Sequence, residues 1–406
     1  KMLKKIGLAA MMTLVAGRAL PNERVDISRV RNIGGLYSTI FTVGDNYNVL
    51  VGIDLRDMKD LKPPFVLKYR LYNMWKSQVC TGACGCNLFK KIDGYYLLSA
   101  RILPEIPSGI TGWFKVEFEL YANKNRIPVT SNITMAIVPK RVSGVDASRS
   151  FFGIGFASFA PETPQLLPDF SDNTAVMLKQ LGADWLKIWI KFNKLCRSKS
   201  PGGCWTKGDS IVDTAMRHDL HIMGDIMTIP GVNPKLDDSK MVISAWRQAV
   251  KEVAMRYKNK IHDWEVWNEP NSRHFPGDRS LYVELLKTAY LEIHREIPDA
   301  VVSVGGLTGA KEGWLKSVVR AGGGPYMDVV AFHPYRFAYA EPEKAYSRAP
   351  VGYGRRSLQQ DIKAMTKVVG QLPPTSSGKM KRALWITETG YSTYGLSSAP
   401  LHASVS

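Results

Sequence analysis

Two patterns of apolar and polar positions divide the chain near residue 147. Between residues 20 and 147, short runs at 47–53, 65–71, 95–100, 113–120 and 133–138 alternate apolar with polar side chains, and clusters of Gly, Pro and Asn separate them. Such alternation puts one set of side chains on a core and leaves the other in water, so the runs predict antiparallel strands. Five or more strands without a helical period predict an all-β sandwich of the immunoglobulin-like type. From 148 to 406 the pattern changes. Apolar runs at 152–159, 185–192, 222–229, 261–267, 301–305, 329–333 and 383–388 alternate with segments of helical period at 173–181, 211–218, 244–257, 280–296, 312–320 and 357–369. Strands apolar on both faces and joined by helices predict a parallel sheet covered by helices. Seven of them predict a (β/α)8 TIM barrel that stops before its eighth strand. Only a Ser- and Ala-rich tail, 391–406, remains beyond them, and the chain starts at Lys1. The expectation is a piece of a longer reading frame, the alternative being an irregular eighth element supplied by the tail.

Residues 1–19 follow neither pattern. Lys1, Lys4 and Lys5 precede an apolar stretch from Ile6 to Gly17, the layout of a secretory signal peptide and too short to span a bilayer. The expected location is therefore secreted, periplasmic or at the cell surface, with no transmembrane segment in the mature chain. Export permits disulfides. Cys196 and Cys204 flank a Gly/Pro loop and are candidates for one bridge, whereas Cys80, Cys84 and Cys86 leave open a bridge plus a free thiol or an incomplete thiolate metal site.

Charge changes the picture less than its size suggests. The 406 residues carry 54 Lys and Arg against 36 Asp and Glu, a formal net charge of +18. The positive residues are scattered singly or in pairs, and neither a finger spacing nor an RNA-binding aromatic signature accompanies them. Nucleic acid is not expected as a partner. The scatter reads as a diffuse surface bias rather than a dedicated anion-binding surface, and it stays compatible with an exported protein that meets an acidic polysaccharide or an envelope surface. No phosphate-binding loop, dinucleotide fingerprint or His-Glu-x-x-His motif occurs, so neither cofactor nor metal is expected.

The chemistry concentrates at two predicted strand ends. Trp264-Glu265-Val266-Trp267-Asn268-Glu269-Pro270-Asn271 closes the fourth barrel strand, and Leu384-Trp385-Ile386-Thr387-Glu388-Thr389-Gly390-Tyr391 closes the seventh. Strand ends that face the βα loops build barrel active sites. Two carboxylates converging there are what glycoside hydrolysis needs.

The Trp-Asn-Glu-Pro motif, the later strand-end Glu and Phe332-His333-Pro334-Tyr335 together resemble glycoside hydrolases of clan A, and within it family 39 and its relatives. The resemblance covers residues 150–392 and implies a retaining double displacement with Glu269 as acid/base and Glu388 as nucleophile. It further implies a carbohydrate substrate, with Asn268 on the sugar 2-hydroxyl and His333 and Tyr335 lining the subsite and orienting the nucleophile. Where clan members carry an Arg on strand two, this chain has Lys187. Its ammonium supplies charge without the guanidinium fork. It is read either as a contact of the nucleophile or as a barrel-interior ion pair with Glu265. Trp189 and Trp385 are read as sugar-stacking platforms or as core; Asp225 and His221 are left structural. Two alternatives stay open: a transglycosylase of the same fold, and a catalytically silent carbohydrate-binding protein.

Overall fold

The computed structural model describes residues 26–30, 32–33, 36–37, 40–45, 47, 49–55, 61–73, 76–92, 95–108, 110–127, 132–139, 152–155, 170–192, 205–335, 356–378 and 383–389. The signal-peptide segment, Cys196, Cys204 and the tail lie outside the described residues. The chain forms two compact units, one of residues 1–150 with 171–182 and one of residues 151–170 with 183–406.

The first unit contains β1 (Asp26–Val30), β2 (Asn32–Ile33), β3 (Leu36–Tyr37), β4 (Ile40–Thr42), β5 (Val49–Asp54), β6 (Phe65–Asn73), β7 (Gln78–Ile92), β8 (Tyr95–Ile102), β9 (Gly112–Ala122), β10 (Asn125–Ile127) and β11 (Asn132–Val138). They pair in the order β1-β5-β8-β7-β6-β9-β11-β4, with β10 on β9 and a separate β2–β3 pair. All neighbours run antiparallel except β11 and β4, which are parallel. β7 joins the two halves. Its residues 78–85 pair with β6 and its residues 86–92 with β8, across a register shift between Leu88 and Lys90. Both halves contribute to one core, which includes Val51, Leu67, Leu98, Phe114 and Leu120. In β6 the alternation operates as the sequence predicts, with Leu67, Tyr69 and Leu71 buried and Lys68 exposed between them.

β7 itself is absent from the sequence-based reading. Its run of Cys, Thr, Gly and Ala has no large apolar residue over Cys80–Cys86, and Gly within a strand weakens it. A tertiary contact explains the choice: a Cβ on Gly82 would come within 2.3 Å of the Tyr69 ring, so only Gly admits that ring. Cys80, Cys84 and Cys86 are half-buried free thiols, and no metal-binding cluster of His, Cys, Asp or Glu occurs among the described residues. Burial above all pushes the Cys86 thiol up to about 12. The bridge and the thiolate site considered for this triplet are therefore both replaced by three free thiols.

α1 (Asp172–Gln180) groups with the first unit and lies against β3 and β4. Ser171 caps it by accepting from the Thr174 N–H, and Gly182 ends it in the left-handed region at φ 85°.

The second unit holds β12 (Gly153–Gly155), β13 (Trp185–Lys191), β14 (His221–Met227), β15 (Asp263–Val266), β16 (Val301–Thr308), β17 (Val329–His333) and β18 (Ala383–Ile386). They form a parallel sheet of seven strands in chain order, which fits a partial TIM barrel. Between them run α2 (Thr206–Arg217), α3 (Ser239–Tyr257), α4 (Arg279–Glu296), α5 (Glu312–Val318) and α6 (Leu358–Val369). Asp238, Asp278 and Ser357 cap α3, α4 and α6 with side-chain oxygens, and Gln360 completes a capping box on the last. Along β13, Leu186, Ile188 and Ile190 are fully buried on one face. The opposite parity, Trp185, Lys187, Trp189 and Lys191, shares the face from which Lys187 reaches the acidic residues described next. No helix among the described residues is long and apolar enough to cross a membrane.

Candidate active site

Lys187 is the centre of a buried charged cluster. Its Nζ lies 2.9 Å from Glu388 Oε1, 3.2 Å from Glu265 Oε2 and 3.3 Å from Asp225 Oδ2. Strand parity brings the four together, because Asp225 pairs in register with Glu265, and Lys187 lies on the neighbouring strand. Burial works to lower the pKa of Lys187, but the charges of Glu265, Asp225 and Glu388 outweigh it and raise the pKa. Both readings of Lys187 hold at once: it pairs with Glu265 and it contacts the expected nucleophile.

Glu388 is also tied to Tyr335, whose hydroxyl donates to Oε2 at 3.1 Å. Burial and then the Glu388 charge push the Tyr335 hydroxyl up to about 12, so it remains a donor. His333 stands between the two expected catalytic residues, with Nδ1 3.1 Å from Glu269 Oε1 and 3.7 Å from Glu388 Oε2. Two oxygens that share one nitrogen in this way are no more than about 7 Å apart.

The protonation of His333 follows from its partners. Thr387 Oγ1 donates its single proton to Glu265 Oε1 at 3.3 Å, so at 3.2 Å from His333 Nε2 it must accept from an N–H. Nδ1 faces the carboxylate of Glu269, which only accepts when ionised. Both ring nitrogens therefore carry hydrogen. Burial opposes the imidazolium, but Glu265 and Glu269 overcome it and raise His333 to about 9. Glu265 is drawn down in return: burial would raise it, but Lys187 and His333 bring it to about 2.

Glu269 has a second imidazole beside it. His274 Nδ1 lies 2.9 Å from Oε2, and this side chain is half exposed, whereas that of His333 is fully buried. Burial favours a proton on Glu269, yet hydrogen bonding to His333 and the charges of His333 and His274 hold it below the usual carboxylate range.

The backbone that presents Glu269 is strained. Trp267 and Glu269 have φ of 71° and 50°, a region that L residues enter at a cost of roughly 1–3 kcal/mol each. Surrounding contacts hold them there. The Trp267 N–H donates to Ile226 O, its indole Nε1 donates to His274 O, and the Glu269 N–H donates to Gly306 O. Gly306 belongs to a register shift between β15's neighbour β16 and β17, where residues 305–306 bulge. The Tyr282 hydroxyl of α4 fills the opened ladder, accepting from Gly305 N–H at 2.9 Å and donating to Val266 O at 3.0 Å. The bulge also turns the Gly306 N–H onto Glu265.

Neither glycine tolerates a side chain. A Cβ on Gly305 would sit 2.1 Å from Trp267 O, and one on Gly306 would sit 2.0 Å from His333 Nε2. Gly306→Ala is therefore expected to displace His333, destabilise the fold by roughly 1–3 kcal/mol and depress activity more than that loss explains. Urea unfolding combined with initial rates checks this; wild-type rates in a folded variant would refute the crowding argument. Lys187→Met should cost about 3–5 kcal/mol, because it strands buried carboxylates without their cation. Its urea midpoint against wild type is the measurement, and an unchanged midpoint would contradict the cluster's description.

The expected site residues separate into two groups. Glu269, Glu388, His333, Tyr335 and Lys187 come together. Trp189 is beside them, half-buried with its ring centroid 5.9 Å from Lys187 Nζ. Asn268 Oδ1 is buried with no hydrogen-bond partner among the described residues. The Trp385 ring lies 6.4 Å from that of Trp185, which in turn lies 5.1 Å from the His221 ring. Two groups were not foreseen as part of the site, Asp225 and His274. Asp225 has a signal in retrospect, because it shares strand parity with its neighbours Met223 and Met227 on the side facing Lys187. His274 has none beyond lying in the loop after Glu269.

No protein-family model matches the chain. Among solved structures it is similar to a family 39 glycoside hydrolase from Bacteroides cellulosilyticus WH2, with TM-score 0.59 and 19% identity over 87% of this chain and 67% of that one. It is also similar to a family 39 β-xylosidase from Caulobacter crescentus, at TM-score 0.41 and 19% identity over 60% of this chain and 55% of that chain. A third structure, a Bacteroides uniformis β-glucuronidase, aligns at TM-score 0.33 and 13% identity over 89% of this chain and 45% of that chain. The chain thus spans about two thirds of the first structure and about half of the other two. The fold is similar to that of the first of these structures, the family 39 glycoside hydrolase.

Proposed function

We propose that the protein is a retaining glycoside hydrolase that cleaves O-glycosidic bonds of a poly- or oligosaccharide, with Glu388 as nucleophile and Glu269 as acid/base. The observation that carries this reading is the convergence of the two carboxylates on one imidazole, with Glu388 anchored by Lys187 and Tyr335. A separation of no more than about 7 Å includes the ~5–5.5 Å of retaining enzymes. Two donors on Glu388 suit a nucleophile, because they hold an ionised carboxylate in one orientation without protonating it.

In the first step Glu388 attacks the anomeric carbon, the glycosidic C–O bond breaks, and the leaving oxygen takes a proton from Glu269. In the second, Glu269 removes a proton from water, whose oxygen displaces Glu388 from the glycosyl ester. The depressed pKa of Glu269 in the open site suits the second step. For the first it must gain a proton, and half-exposed His274 is placed to pass one to Oε2. The unpaired acceptor of Asn268 suits a sugar hydroxyl, and the ring of Trp189, beside Lys187, suits a sugar face. The net charge of +18 and the basic, apolar leader support an acidic polysaccharide met outside the cytoplasm. The immunoglobulin-like reading of the first unit is supported by its two sheet halves around one core.

Trapping tests the whole reading. An activated 2-fluoroglycoside should leave a covalent sugar on Glu388, located by peptide mass spectrometry. A label on another residue, or none from a panel of sugars, would overturn it.

A further inference from the structure

The double displacement leaves one buried acid without a task. Asp225 is wholly buried, and neither of its carboxyl oxygens has a hydrogen-bond partner among the described residues. The ion-pair contact it has is with Lys187, which it shares with Glu265 and Glu388. One ammonium facing three carboxylates away from water is a repulsive arrangement, relieved when one of the three takes a proton.

Hydrogen-bond donors decide which one. Glu388 receives Lys187 and Tyr335, and Glu265 receives the Gly306 N–H and the Thr387 hydroxyl. Each therefore accepts from two donors. Asp225 has no such donor. The titratable groups that face it are Lys187 from β13, Glu265 from β15, Glu388 beyond β18 and the Tyr282 hydroxyl from α4, with His333 of β17 behind Glu265. Burial, with the charges of Glu265 and Glu388 and against that of Lys187, raises Asp225 to about 7.

We propose that Asp225 is a positioning residue acting through Lys187: protonated, it leaves the ammonium to Glu265 and Glu388, and ionised, it competes for that ammonium and loosens the nucleophile. The catalytic meaning rests on the glycosidase reading; the proton on Asp225 does not. Atoms balance simply, since the proton leaves for solvent and no other bond changes. The consequence is a fall in kcat, with little change in KM, as pH rises through about 7, ahead of a second fall as His333 loses its proton near 9.

Asp225→Asn keeps the shape and the neutral form. Two measurements test the proposal. Infrared difference spectra of wild type minus Asp225→Asn should contain a protonated-carboxyl band that disappears as pH passes about 7. The pH profile of kcat should lose its limb near 7 in the variant and keep the one near 9. Absence of the band below neutral pH would overturn the proposal, and so would a band accompanied by an unmoved kcat limb. If no glycoside is turned over, the glycosidase reading fails and the infrared band still decides whether Asp225 holds a proton.

Discussion

Glu388→Ala should lower turnover by roughly 10⁴-fold or more, the scale on which removal of a covalent nucleophile acts. The loss is expected in kcat on every substrate, because the ester can no longer form. Removing the carboxylate leaves space beside Lys187 Nζ and the Tyr335 hydroxyl, both donors aimed at the vacated position. Azide or formate should occupy it and restore turnover of activated glycosides. The azide product should have the configuration opposite to the substrate, since one displacement replaces two. Proton NMR of the product reads this directly. If neither anion restores turnover of any activated glycoside, Glu388 is not the nucleophile.

Glu269→Ala should act differently on the two steps. Glycosides with poor leaving groups need protonation and should lose about 10²–10⁴ in kcat/KM, whereas those with acidic phenols should be nearly spared. The second step loses its base for every substrate, so a burst of released phenol should precede slow turnover. Azide needs no base and should restore the second step with retained configuration. An equal loss on good and poor leaving groups would sink the assignment. This outcome also bears on His274 and His333, whose hydrogen bonds to Glu269 would then be structural.

Element types were legible where one residue's neighbours suffice to define them. The alternation in β6 and β9, the two-sided apolar runs of β13 to β17 and the capped helix α1 all follow from spacing that the chain carries locally. β7 was not legible, because the reason for its glycine is the Tyr69 ring on another strand. Trp385 shows the same limit. Its place on the seventh strand leaves a sugar platform or core packing open, and only the folded chain puts its ring against Trp185.

The sequence by itself determined the strand–helix order of the second unit and the two strand ends that carry Glu269 and Glu388. It also determined the face of Lys187, because strand parity is a property of position along the chain. Only the tertiary structure decided what those side chains meet. Lys187 could satisfy Glu265 or Glu388 by parity, and the register of the sheet lets it satisfy both together with Asp225. The proton on His333, the bulge at Gly305 and Gly306 and the left-handed turn at Glu269 likewise depend on groups distant in the chain. Charge and close contact act through space, so their balance is set when the strands are brought side by side.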